Sequence, residues 1–385
     1  MACTTLSYRK ADTRLPGLSN DLPYSFRMKK LYNIVDRKIL LRKMRESPEE
    51  RITLSFYKYV HLFNPAFFRD HLYTMFDDLH VLGRIYVAHE GINAQISVPV
   101  EMMKLFRNAL QDVDFFKGMR LNYAIEDNGK SFFKLAIKVR SKIVADGLDD
   151  KSFDVTNSGI HLDAQSFNEL ASIPQAVIVD MRNHYESEVG RFENAICPDA
   201  STFREALPEV VDTLKDKKSH PVIMYCTGGI RCEKASAYLK HCGFEHVYQL
   251  NGGIIEYARQ VKELNLENKF KGVNFVFDER LGEAISSEII SKCHQCGQPA
   301  AQHVNCANDK CHLLFIQCDS CATGMKNCCS EKCADFITKS PEEQERIKGS
   351  TLFNGSKFSK GRYRLDSNAE FSSLSRLTNQ HSTCF

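Results

Sequence analysis

One stretch of the chain joins an apolar run, a glycine-rich turn and a helical pattern without interruption: PVIMYCTGGIRCEKASAYL, residues 221–239. The apolar run gives way to Cys226 and two glycines before the helical pattern begins. Short apolar runs that end in such turns are typical of parallel strands buried between helices. Similar runs stand at 176–180 and 246–250, with helical segments between them. Residues 146–272 are therefore predicted to form a doubly wound α/β domain.

The turn after this strand has the composition of a loop that ionises a thiol. Its glycines permit positive φ angles, so several N–H groups can point inward, and the following helix adds the partial positive charge of its N-terminus. Such surroundings lower the pKa of a cysteine from near 8.5 into the range of roughly 3.5–7.5. We predict Cys226 as the reactive thiolate and Arg231 as the group that stabilises an anion or enolate. The rest of the loop is Thr227, Gly228, Gly229 and Ile230.

Two further groups of residues are expected to support the loop. Asp180 ends the buried run at 176–180, and Arg182 and Glu186 follow it, although Asp180 and Arg182 also fit a purely structural ion pair. Cys232, just beyond the loop, is either a resolving thiol or a packing residue. The loop places four residues between its cysteine and its arginine, whereas dual-specificity phosphatases place five, which disfavours phosphatase chemistry.

Residues 51–145 read as strand, helix, strand, strand, helix and strand. Asn64 followed by Pro65 predicts a helix start, because asparagine caps helices and proline suits the first turn. The order of elements predicts a ferredoxin-like, or acylphosphatase-like, α/β sandwich.

Residues 273–345 form a cysteine-rich segment that is predicted to bind zinc. Clustered cysteines in a chain without a secretory signal indicate metal binding or catalysis more often than disulfides. Nine thiols fill two sites of four thiolates each, with one to spare, although an iron–sulfur cluster or free thiols remain alternatives. Spacing alone does not reveal how they pair. The nine are Cys293, Cys296, Cys306, Cys311, Cys318, Cys321, Cys328, Cys329 and Cys333.

Both ends of the chain are basic. Residues 1–50 carry 11 Lys/Arg against 6 Asp/Glu, and residues 346–385 carry 7 against 2. This charge fits contact with a nucleic-acid backbone, but charge alone favours solvated tails, and the C-terminal tail is predicted to be disordered. Residues 1–27 lack a clear period, and a helical pattern begins at Met28.

The chain lacks an apolar run of the roughly 18–20 residues that a membrane helix needs, and it lacks a secretory signal. We expect a soluble, cytoplasmic protein that does not engage a membrane. The sequence carries no fingerprint for a flavin, nicotinamide or nucleotide, so no organic cofactor is predicted. The oligomeric state remains open.

Several segments together resemble one family, the bacterial rhodanese-containing tRNA uridine hydroxylases, over about residues 28–345. They include VAHEGINAQISVP at 87–99, DMRNHYESEVGRFENA at 180–195, MYCTGGIRCEKASAYLKH at 224–241 and CHLLFIQC at 311–318. The resemblance implies an oxygen-dependent conversion of uridine 34, in the anticodon loop of tRNA, to 5-hydroxyuridine. It also implies a rhodanese fold for the central domain and an essential loop cysteine.

Three rival functions stay open at this point. A rhodanese-like sulfurtransferase would carry a persulfide on the same cysteine. A phosphatase is disfavoured by the loop length, and a non-catalytic RNA-binding or zinc scaffold is disfavoured by the intact cysteine loop.

Overall fold

The computed structural model describes residues 30–148, 153–347, 353–355 and 362–363. The chain divides into two units, Met1–Leu31 and Tyr32–Phe385, and the helices and strands belong to the second. The predictions for residues 1–27 and for most of the C-terminal tail lie outside the described residues. The helical pattern expected from Met28 yields a shorter helix, α1 at Arg37–Glu46, because the Asp36 side chain accepts the Lys38 N–H and caps the helix there.

The N-terminal domain is a five-stranded sheet with two helices. Its strand order is β4-β1-β3-β2-β5, and the first four positions confirm the predicted ferredoxin-like arrangement. Strand β5 extends the sheet by pairing parallel to β2. Asn64 caps the first helix and Pro65 opens it, as predicted. The elements are β1 Arg51–Tyr59, α2 Pro65–Asp78, β2 Leu82–Ala88, β3 Gly91–Pro99, α3 Met103–Asp112, β4 Asn122–Tyr123 and β5 Leu135–Val139.

The central domain is doubly wound, as predicted. A parallel sheet in the order β6-β10-β9-β7 separates two apolar cores. Val222 and Met224 pack into one core while Ile223 and Tyr225 pack into the other, so one strand is buried on both faces. The elements are β6 Ile160–Leu162, α4 Ala164–Ala171, β7 Val177–Asp180, α5 His184–Val189, β8 Gly190–Phe192, α6 Phe203–Thr213, β9 Pro221–Tyr225, α7 Ile230–His241, β10 His246–Leu250 and α8 Gly253–Leu264.

The C-terminal segment continues from the central domain through strand pairing. Its first strand, β11, pairs antiparallel with β8 and with β12, and a small hairpin of β13 and β14 follows. The elements are β11 Phe270–Asn274, β12 Glu283–Ala284, β13 His303–Asn305, β14 Leu314–Ile316, α9 Asp319–Gly324, α10 Glu331–Thr338 and α11 Pro341–Ile347.

The N-terminal domain packs directly on helix α7 of the central domain. The buried Lys234 ammonium lies 2.6 Å from a Glu90 carboxylate oxygen and 2.5 Å from one of Asp146. Tyr59 of β1 donates to the Ile230 carbonyl at 3.3 Å, at the first turn of the same helix. Among the described residues, no helix combines the length and apolar character needed to cross a membrane.

Candidate active site and metal centres

The cysteine loop lies where β9 ends and α7 begins, as the sequence predicts. The Gly229 N–H donates to the Cys226 sulfur at 3.2 Å, and Gly229 has a φ of +97°, which favours glycine. Helix α8 supports the loop from behind, since the N–H groups of Ile254 and Ile255 donate to the carbonyls of Cys226 and Thr227 at 3.0 and 3.2 Å. Helix α8 therefore fixes the first two carbonyls of the loop, and the loop itself supplies an N–H group to the sulfur.

This environment ionises Cys226. Burial by itself raises the pKa of the thiol, but a hydrogen bond from Cys232, the charge of Arg231 and the N–H groups of both residues outweigh burial and lower the pKa to about 6. Cys232 shows the opposite behaviour, because burial and its hydrogen bond to Cys226 raise its pKa well above 9. At neutral pH the pair is a thiolate that accepts a hydrogen bond from a neutral thiol.

Arg231 is held in place by Glu186 of α5. Its two terminal nitrogens donate to the two carboxylate oxygens at 2.7 and 2.8 Å, and one of them also reaches the Thr227 hydroxyl at 3.3 Å. Burial raises the pKa of Glu186, but the charge of Arg231 and its hydrogen bonds prevail and lower it. The carboxylate is therefore ionised and compensates the guanidinium beside the loop.

Asp180 and Arg182 form an ion pair away from the loop. Both are fully buried, 2.7 Å apart, and Arg182 also donates to the Gly190 carbonyl at 2.6 Å. These contacts connect β7 to β8, which is the structural interpretation that the sequence left open.

The loop borders a cavity of about 790 Å³. Its lining comes from all three parts of the chain: β1 and β4 of the N-terminal domain, the loop itself, and the C-terminal segment after β11. Cys226 has no exposed surface of its own, yet it is one of the lining residues. Other lining residues with polar or aromatic side chains are Tyr57, Arg84, Asn122, Asn183, Phe277 and Glu283.

Tyr57 of β1 lies across the loop. Its hydroxyl donates to Glu233 of α7 at 3.0 Å, and a Cβ added to Gly229 would lie 2.8 Å from the hydroxyl oxygen. Burial, and then the charge of Glu233, raise the pKa of Tyr57, so its hydroxyl remains protonated. Sequence reasoning missed Tyr57 and also Arg362, which lines the cavity and binds Asp199 at 2.8 Å. Both are distant in sequence from the loop and belong to no local motif.

Eight of the nine clustered cysteines form two groups of four. In each group the sulfurs lie within 4.8 Å of one another. Four thiolates placed about 2.3 Å from a tetrahedral zinc ion lie about 3.8 Å apart. The separation is 3.6 Å for Cys296 and Cys318, 3.6 Å for Cys311 and Cys329, and 3.8 Å for Cys329 and Cys333, too long for disulfides and right for a shared metal. The groups are Cys293, Cys296, Cys318 and Cys321, and Cys306, Cys311, Cys329 and Cys333.

Cys328 belongs to neither group. It is the ninth cysteine, the one left over when two sites take four thiolates each. Its side chain is buried, and its carbonyl accepts hydrogen bonds from Gln295 and Gln317 at 3.0 and 3.3 Å. Its inclusion among the candidate metal ligands is therefore not supported by the geometry.

Three protein families match consecutive segments of the chain. The UPF0176 acylphosphatase like domain matches residues 51–143, the rhodanese-like domain matches 163–260, and the rhodanase C-terminal family matches 271–334. The order of these matches agrees with the three-part architecture.

Curated relatives from three bacteria match almost the whole chain, and each of the three is named tRNA uridine(34) hydroxylase. The protein of Photorhabdus laumondii subsp. laumondii is 50% identical over 346 residues, which is 89% of this chain and 98% of the relative. That of Leptospira interrogans is 51% identical over 89% of this chain and 94% of its own length. That of Salmonella agona is 53% identical over 88% of this chain and 97% of its own length.

Proposed function

This chain belongs to the family of tRNA uridine(34) hydroxylases, and on that premise we propose that it converts uridine 34 of a tRNA anticodon loop to 5-hydroxyuridine, with molecular oxygen as co-substrate. The observation that carries the proposal is the ionised sulfur of Cys226 at a cavity of about 790 Å³. That volume is typical of small-molecule sites and admits a nucleobase. Anticodon bases are already single-stranded, so the cost of turning one into a pocket is small.

The chemistry that we propose begins at C6 of uracil, which is electrophilic because it is conjugated to the C4 carbonyl. Addition of the Cys226 thiolate there makes C5 nucleophilic toward oxygen, and N–H groups of the loop stabilise the enolate that develops at O4. One oxygen atom enters the base and the other leaves as water, which consumes two electrons and two protons from an external reductant. A second route has an oxidised Cys226 sulfur deliver the oxygen atom.

The pairing of Arg231 with Glu186 supports this choice over phosphate chemistry. A dianion requires an uncompensated cation, and here both terminal nitrogens of the guanidinium are occupied by a buried carboxylate. A neutral uracil makes no such demand.

The sulfurtransferase alternative is tested by the release of thiocyanate from thiosulfate and cyanide. We expect this assay to give only background rates.

We propose that the two cysteine groups hold zinc as a structural ion. Tetrathiolate sites with closed coordination order a protein segment rather than catalyse, and each contributes on the order of 10–16 kcal/mol to folding. In one group zinc would join the turn at Cys293 and Cys296 to helix α9, and in the other it would join the turn between β13 and β14 to helix α10. No chemical step would depend on it.

Nucleoside mass spectrometry of cellular tRNA tests the proposed function. A strain that lacks 5-hydroxyuridine is complemented with the wild type, with Cys226→Ser, or with Cys242→Ser as the matched control. Cys242 ends α7, is half-buried and does not line the cavity. We expect the wild type and Cys242→Ser to restore 5-hydroxyuridine at position 34 and Cys226→Ser to restore none. Restoration by Cys226→Ser would overturn the mechanism.

A further inference from the structure

The cavity contains polar atoms that the folded chain leaves without hydrogen bonds. Among the described residues, Arg84 Nε, Asn122 Oδ1, Asn183 Oδ1 and Glu283 Oε2 are buried, unpartnered and carried by lining residues. Such an atom costs about 1–3 kcal/mol when nothing binds it. Several of them around one cavity indicate a polar ligand whose hydrogen-bonding groups are fixed in position.

Asn122 is the member of this set that touches the catalytic loop. It lies on β4 opposite Ser55 of β1, and only 4% of it is exposed. Its Nδ2 donates to the Gly228 carbonyl at 3.4 Å. Because only the nitrogen of the amide can donate to that carbonyl, the contact fixes the orientation of the side chain and leaves Oδ1 as an acceptor.

The other three unpartnered atoms belong to side chains whose remaining polar atoms are hydrogen-bonded to other parts of the protein. Asn183 donates from its Nδ2 to the Tyr185 hydroxyl at 2.7 Å. Glu283 accepts from Arg280 at 2.6 Å through its other oxygen, and Arg84 donates to the Phe277 carbonyl at 2.6 Å. Within this set of four, Asn122 combines contact with the loop and an oriented acceptor.

We propose that Asn122 selects uracil by accepting the N3–H of the target base at its Oδ1. This inference rests on the proposed function and names a specificity-determining residue for it. Uracil offers one ring donor, N3–H, which lies across the ring from C6. A thiolate adds to C6 from one face of the ring, so the N3–H stays in the ring plane and can meet an acceptor beside the loop, where Asn122 holds its Oδ1.

The same contact excludes cytosine from this pose. Cytosine carries a lone pair at N3 where uracil carries a proton, and that lone pair would face the Asn122 oxygen. A site whose buried acceptor is left unpaired rejects the wrong ligand strongly, because desolvation of the acceptor is not recovered. The selectivity for uridine is therefore supplied by Asn122 of the N-terminal domain and not by the residues of the cysteine loop.

The test compares uridine 34 with 3-methyluridine 34, which lacks the N3 proton, in otherwise identical tRNA. The variants are Asn122→Ala, Asn122→Leu and the control Asn93→Ala. Asn93 lines the same cavity, but its Nδ2 donates to the Ile143 carbonyl at 3.2 Å and its Oδ1 accepts from Gln95 at 3.0 Å. The measured quantity is kcat/KM for 5-hydroxylation of each tRNA.

We expect the wild type and Asn93→Ala to prefer uridine by about 10- to 100-fold, the range for loss of one buried hydrogen bond. Both Asn122 variants should lose activity on uridine by a similar factor. Asn122→Ala, which also leaves room for the N3-methyl group, should show a preference of less than about 3-fold. Asn122→Leu fills the same space, so it provides the measurement if the alanine variant unfolds.

The possible failures are distinguishable. Absence of hydroxylation by the wild-type protein refutes the proposed function itself. Hydroxylation by the wild type, together with an unchanged preference in folded Asn122→Ala or undiminished activity of Asn122→Leu on uridine, leaves the function in place and refutes the role of Asn122. A preference that disappears in Asn93→Ala but not in the Asn122 variants refutes it as well.

Discussion

The guanidinium of Arg231 and the carboxylate of Glu186 meet through two parallel hydrogen bonds of 2.7 and 2.8 Å. Both side chains are buried, with 8% and 0% exposure, beside a thiolate. The arrangement keeps a positive charge near the sulfur and compensates it with a carboxylate. Because the charge of Arg231 is compensated, this site favours a neutral substrate over a dianion.

Glu186→Gln is expected to destabilise the protein by about 3–5 kcal/mol, because removal of one partner leaves a buried charge unpaired. Urea unfolding measures the difference. The control is Glu188→Gln on the same helix, whose carboxylate is 38% exposed and binds His294 at 2.8 Å. The control should change stability by no more than about 1 kcal/mol. Equal losses for the two variants would contradict a special role for the pair.

The Cys226 thiol should titrate near pH 6. Thiolate absorbance at 240 nm, recorded as the difference between wild type and Cys226→Ser, measures it. Because the folded pKa lies below the unfolded value, ionisation stabilises the folded state above the unfolded pKa, near 9, and this contribution disappears as pH falls through about 6. Cys232→Ala removes a hydrogen bond to the sulfur and should raise the pKa. A wild-type midpoint as high as that of an ordinary cysteine would show that the loop does not ionise the thiol.

Metal analysis should find two zinc ions per chain, one for each group of four cysteines. Cys296→Ser and Cys329→Ser should each lose one ion, since each removes a ligand from a different group. Cys328→Ser is the matched control, because its neighbour is a ligand and Cys328 itself is not, and it should retain both ions. Loss of an ion from Cys328→Ser would reverse the assignment.

Lys234→Met should loosen the contact between the N-terminal and central domains. The substitution removes the cation that Glu90 and Asp146 share. Lys142 still binds Asp146 at 2.7 Å, so the expected cost is near the lower end of about 3–5 kcal/mol. Adding Glu90→Gln and Asp146→Asn removes both negative charges and should recover more than half of the loss. Calorimetric unfolding compares the single and triple variants, and failure of the triple variant to recover would show that Lys234 acts through packing alone.

Local sequence was sufficient to identify the parts of the site that one segment builds. The strand before Cys226 and the helix after it follow from hydrophobic pattern and glycine placement, and the structure has both. The predicted domain limits and catalytic roles stay predictions. The grouping of the cysteines could not be predicted from spacing. The turn between β13 and β14 carries two ligands of one group, and in sequence this turn lies between the two Cys-x2-Cys pairs that form the other group.

The walls of the cavity lay beyond sequence reasoning for a different reason. Tyr57 and Asn122 look like ordinary strand residues until β1 and β4 pack against the loop. Arg362 lies in a segment predicted to be a disordered tail, yet it binds Asp199 beside the cavity. Such contacts arise from domain packing, which leaves no periodic signal in the sequence.

Tyr57 of the N-terminal sheet lies across the loop, and the ionised sulfur of Cys226 has no exposed surface in the folded chain. A central domain released by proteolysis or made without its partner domains would offer that sulfur to any electrophile or peroxide in the cell. We expect the N-terminal sheet to slow oxidation of this sulfur as well as to form one wall of the cavity. We therefore expect the Cys226 thiolate to be both shielded and able to meet a substrate only when all three parts of the chain are assembled.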